Sequence, residues 1–281
     1  MPFSARGGFL AQAGAPPGPP LWTPADITTE AWVEATVSDL TLSGTNVTSW
    51  TNKANGTSTV DYANSTSSEQ PTWDSAGGYV HFDGVDDYLQ ADSAFAFSGR
   101  DDIMVICVVD IPASSSYFSG VADKFFQQSG LPGGGSSTHG AYSLAAGSGS
   151  IGWNNRYNNG FSAFANGSFA TKNLHAGFMA SSDNYGSAEW YLNGSDIGPR
   201  SSGNNANNSL ALNNAYSYLG GGPAGNSGQF MYANCKMYEL VVLNDVTTTN
   251  RQLVEGYMAW KHGLEGDLPS GHPYKTAAPT T

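Results

Sequence analysis

The strongest hydrophobic pattern lies at residues 236–264, KMYELVVLNDVTTTNRQLVEGYMAWKHGL. Tyr238, Leu240 and Val242 alternate with Met237, Glu239 and Val241, the two-residue period of a strand. Leu253, Tyr257, Trp260 and Leu264 then recur at helical spacing. Thr249 stands three residues before Gln252, which predicts a capping box, and Gly263 is placed to end the helix. The rest of the chain reads as strands. Ile103 to Ile111 is almost unbroken apolar sequence, which predicts a central strand covered on both faces. Tyr79 to Leu89 reads as two short strands around an Asp83-Gly84 turn, and Trp190 and Leu192 lead into an Asn193-Gly194 hairpin turn. Trp32 and Trp50 flank a stretch with loop chemistry, and no repeat of fixed period is present. The predicted fold is all-β: an antiparallel β-sandwich (jelly roll) with one short C-terminal helix.

The ends differ from this pattern. Residues 1–20 are rich in Gly, Ala and Pro and end in PPGPP, an extended arm unable to bury much by itself. The expected organisation is therefore an arm at 1–20, one jelly-roll domain at 21–264 and a polar C-terminal tail at 265–281. Phe3, Phe9 and Leu10 are the arm's apolar anchors for docking to a partner.

Charge narrows the function. Charged residues make up 12% of the 281, about half the usual share of roughly a quarter, and the net charge is −12. Without clustered Lys and Arg, neither nucleic acid nor an anionic membrane is an expected partner. No apolar run is long enough to span a bilayer, and the N-terminus is a poor secretory signal. The six Asn-x-Ser/Thr sequons are then read as chance products of an Asn- and Thr-rich chain in preference to glycosylation sites. Cys107 and Cys235 lie in predicted buried strands and are read as reduced core thiols, with a disulfide open only if those strands are neighbours.

Three segments, YVHFDGVDDYLQ, EWYLNGSDIG and MYELVVLNDVTTTNRQLVEGYMAWKHGL, resemble the concanavalin A-like lectin/glucanase superfamily in its laminin G-like branch. The closing helix with its LPSGHPYKTAAP tail, and the Pro-rich arm before LWTPADI, look like versions found in bacteriophage virion proteins. The resemblance implies a virion structural protein on the particle surface, as a capsid decoration, head fibre or tail-associated protein. Its expected partners are other virion proteins, through residues 1–20, and further copies of itself. A lectin-like module for host surface glycans is the alternative, and a divergent glucanase the third.

Candidate chemistry is sparse. Glucanases of that superfamily place paired carboxylates at alternate positions of one strand. Glu239 has no same-face acidic neighbour along its strand, and Glu30 and Glu34 read as a helical turn or surface, so no enzyme is expected. No nucleophile elbow or HExxH is present, and no cofactor is expected. Asp83, Asp86 and Asp87 could offer oxygens to calcium, but turn and cap roles account for them and no metal is expected. Trp153, Asn154, Asn155, Arg156 and Tyr157 combine aromatic faces with amide and guanidinium donors, the mixture that binds sugars. Ordinary turn chemistry, with Trp153 in the core, explains the same segment and is preferred.

Overall fold

The computed structural model describes residues 20–56, 60–92, 102–111, 123–129, 142–147, 150–153, 164–166, 171–180, 189–198, 216–224 and 229–281. Its centre is the strand Asp102–Asp110. Lys172–Ala180 pairs with it residue for residue on one side; Asn234–Leu243 pairs on the other, with a register shift between Met237 and Glu239. Glu189–Leu192 extends the sheet beyond Lys172–Ala180. The far side of Asn234–Leu243 takes two short strands end to end, Tyr79–Asp83 and then Ala31–Glu34. A second run of strands starts at Tyr62–Ala63 and Leu89–Ala91 and continues through Tyr216–Leu219, Asp123–Ser129 and Tyr142–Gly147. Asn46–Trp50 links the two, pairing with Tyr62–Ala63 and with Thr72–Asp74. All these pairings are antiparallel.

Alternation along the central strand builds both cores. Ile103, Val105, Cys107 and Val109 point between the two runs, where they join Trp50, Tyr62, Phe82, Leu89, Leu219 and Leu240 in one buried cluster. Met104, Ile106 and Val108 point the other way, against Val254, Met258 and Ala259 of the helix Thr248–His262. The layers are therefore strands, strands and helix, and the period of two sends alternate side chains to opposite faces. The near-unbroken apolar run is the result of cover on both faces, as its sequence predicts. Cys107 and Cys235 are buried in the inter-strand core and form no disulfide.

Local details depart from expectation in three places. The helix is capped by Thr247, whose hydroxyl accepts from the Asn250 N–H at 3.1 Å, and not by Thr249. Gly263 ends it in the left-handed region, as expected. Tyr79–Asp83 and Leu89–Ala91 do not pair with each other; they pair with different partners in different layers. The stretch between Trp32 and Trp50 contains strands at Leu40–Ser43 and Asn46–Trp50. The Asn193-Gly194 turn is as predicted, with φ of 48° and 75°.

Residues 265–281 fold back on the helix and carry chemistry of their own. Leu268 is buried beneath the helix, and His272 reaches the buried Glu255 at 3.2 Å. Thr280 bridges to Leu21, and the Thr281 N–H donates to the Pro20 carbonyl. Residues 20–22 are thus stitched to residues 279–281. No helix among the described residues is long and apolar enough to cross a membrane.

Candidate functional site

Helical spacing brings Tyr257, Trp260 and Lys261 to one side of the helix's last turn, since residues three and four apart are surface neighbours. That side meets the end of the strand Ala31–Glu34, the Leu21-Trp22 segment and the folded-back tail. Between them lies a cavity of about 570 Å³, within the range that holds small ligands. Trp22, Tyr257 and Trp260 form its aromatic walls, with Leu21 and Pro279 at the margin. Trp260 is 37% exposed, and its indole N–H is anchored on the Tyr274 carbonyl at 2.8 Å. Trp22 and Tyr257 meet edge to face, their ring centroids 6.1 Å apart.

The charged lining is Glu34 and Lys261. Lys261 Nζ lies 2.8 Å from Glu34 Oε1, 2.9 Å from Glu239 Oε2 and 2.7 Å from the Tyr257 hydroxyl. Behind it Glu239 is fully buried, accepting from the Trp32 indole N–H at 2.8 Å and lying 2.8 Å from His262 Nε2. Glu34 also accepts from Lys53 at 2.6 Å, and Lys53 sits 4.1 Å from the centre of the Trp32 ring. Burial opposes ionisation of Glu34, but the hydrogen bonds and charges of Lys261 and Lys53 outweigh it and hold its carboxyl below the usual range. Burial, and then the charges of Glu239 and Glu34, push the Tyr257 phenol far up, so it is a neutral hydroxyl. The cavity combines aromatic faces with a fixed carboxylate, the mixed chemistry that packs a sugar ring and accepts from its hydroxyls.

Sequence reasoning missed this site, and one premise of it was wrong. Glu34 lies in a strand, directly opposite Glu239 in register. Glu239 therefore has an acidic neighbour across the sheet where its own strand offers none. Trp260 borders the cavity; the helix residues packed on the sheet are Val254, Met258 and Ala259, with Leu253 and Tyr257 partly buried against them.

The predicted residues fare differently. Asn154, Asn155, Arg156 and Tyr157 lie outside the described residues, as do Phe3, Phe9 and Leu10 of the arm. Trp153 ends the strand Ser150–Trp153 opposite Leu144, and only its backbone is described. Asp83, Asp86 and Asp87 do gather, with carboxylate oxygens within 4.8 Å. They serve the turn: Asp83 accepts from the Val85 N–H at 2.7 Å, and Asp87 from the Asp83 N–H at 2.9 Å. Burial, reinforced by the charges of Asp83 and Asp86, pushes Asp87 up to about 6 against its backbone hydrogen bond.

No protein-family profile and no curated protein matches the chain. Solved structures do. The Trypanosoma rangeli sialidase in complex with sialic acid aligns at 12% identity and a TM-score of 0.45, over 78% of this chain and 31% of the sialidase. The same enzyme with 2,3-difluoro-KDN gives 13%, a TM-score of 0.48, and coverages of 82% and 32%. The botulinum neurotoxin serotype D binding domain gives 8% and 0.42, over 84% and 51%. The chain thus spans about a third of the sialidases' length. The expectation that the chain is no enzyme is not upheld: sialidases stand among the similar structures, and Glu34 opposite Glu239 removes its structural premise. At these identities the likeness concerns the fold; it assigns no activity.

Proposed function

We propose that the protein is a carbohydrate-binding β-sandwich carried on a bacteriophage particle, with its sugar site in the cavity between Trp22, Tyr257 and Trp260. The observation that carries this reading is the pairing of three aromatic walls with the partly accessible Glu34 carboxylate. Aromatic rings cover the C–H face of a sugar, and the carboxylate orients its hydroxyls. Binding to an oligosaccharide array tests it. Trp260→Ala, at a partly exposed side chain, leaves the fold intact by circular dichroism and abolishes the signal. Binding that survives Trp260→Ala moves the sugar site elsewhere.

The particle assignment rests on the resemblance of the chain's two ends to phage virion proteins. It gains support from the stitching of Pro20, Leu21 and Trp22 to Pro279, Thr280 and Thr281. Residues 20–22 and 279–281 lie side by side, which suits attachment from a single pole to a capsid or tail protein, with several copies gathered there. Deleting residues 1–20 is expected to leave a folded domain that no longer joins particles. Normal incorporation of that truncation refutes the docking role.

A further inference from the structure

We infer that the cavity takes neutral or amine-bearing sugars and excludes sugars that carry a carboxylate, an inference that rests on the carbohydrate reading above. An ammonium group has three N–H donors. Those of Lys261 face Glu34 Oε1, Glu239 Oε2 and the Tyr257 hydroxyl, all at 2.9 Å or less. The cation that lines the cavity therefore has no donor left for an anionic ligand. Lys53 is committed in the same way, to Glu34, to Asp39 at 3.3 Å and to the Trp32 ring.

Glu34 stands in the opposite position. Its Oε1 accepts from Lys261 and its Oε2 from Lys53. A carboxylate has about four acceptor sites, so roughly half remain for a ligand. The local charge leans the same way: Glu34, Glu239 and Asp39 face the ammonium groups of Lys53 and Lys261, with the His262 imidazole beside Glu239. Among the described lining residues the ligand therefore meets an acceptor and three aromatic faces. Hydroxyls donate to such a site, and an amino group donates with charge assistance. A carboxylate entering it faces Glu34 with no uncommitted cation among the described lining residues to offset the repulsion.

The test uses the full-length protein on an array of neutral, glucosamine-containing, sialylated and uronic acid oligosaccharides. The expected result is binding to the first two classes, lost in Trp260→Ala. Glu34→Gln weakens the glucosamine probes about ten-fold, the loss of one charge-assisted contact, and raises their insensitivity to salt. Sialylated or uronic acid binding that Trp260→Ala abolishes overturns the inference and leaves the carbohydrate reading standing. An array blank for every class overturns that reading, and the inference with it. Glucosamine binding unchanged in Glu34→Gln and in high salt overturns the role given to the carboxylate.

Discussion

Glu34 and Glu239 stand directly opposite each other in adjacent antiparallel strands, and the single ammonium of Lys261 bonds to both. Like charges in that position destabilise a sheet. Glu239 is fully buried as well, so its charge is stabilised only through its partners: Trp32, Tyr257, Lys261 and His262. The helix supplies three of these four. Its docking and the tolerance of the opposed carboxylates are one arrangement.

Lys261→Met tests that arrangement. The substitution keeps the apolar stem and removes the charge, leaving a buried carboxylate short of its cation. Breaking a buried pair in this way costs about 3–5 kcal/mol. Urea denaturation is expected to show a loss of that order, and Glu239→Gln in the same background is expected to recover part of it. A loss below about 1 kcal/mol, the scale of exposed pairs, refutes the arrangement.

The sequence carries some of this and hides the rest for identifiable reasons. Ile103 to Ile111 announces a doubly covered strand because both faces are apolar. Asn193-Gly194 announces its turn because two successive positive φ angles demand such residues. Glu34 opposite Glu239 is invisible in sequence because strand register, set by tertiary pairing, brings together residues separated by most of the chain. Trp260 sits at helical spacing with the apolar stripe, yet the tail's Tyr274 carbonyl holds its ring at the cavity. The helix cap slid two residues because three successive threonines offer the same chemistry, and geometry alone selects Thr247.

Asp87 predicts a pH dependence. Its carboxyl is raised from 3.8 to about 6 by burial, so the folded chain binds its proton more readily than the unfolded chain. Between those values the native state holds more protons, and stability falls as pH rises through the window. The penalty is fully present above about 6. Asp87→Asn keeps an acceptor for the Asp83 N–H and removes the charge. Its stability relative to the parent is expected to improve between mildly acidic and mildly alkaline buffer. An unchanged difference at the two pH values defeats the prediction.

The thiols give a simpler check. Burial pushes the Cys107 thiol well above its usual range, and the thiolate is the reactive form. The native protein is expected to react negligibly with a thiol reagent. After unfolding in guanidinium without reductant, both cysteines are expected to titrate, since they form no disulfide. A titre of zero in the unfolded state contradicts the structure.

Gly256 sits in the interior of the helix, where replacement by Ala ordinarily stabilises by roughly 1 kcal/mol. Here the opposite is expected. A Cβ at this position would lie 2.6 Å from the Tyr274 Cβ and 2.7 Å from its ring. The neighbour is the tail that also holds Trp260 through the Tyr274 carbonyl and carries His272 to Glu255. Relief requires the tail to shift, and overpacking of this kind costs about 1–3 kcal/mol. Gly256→Ala is therefore expected to lower the melting temperature, to speed proteolysis within residues 269–281, and to weaken the proposed sugar binding by displacing Trp260. A raised melting temperature with an unchanged tail would mean that the helix and residues 269–281 do not approach as closely as described.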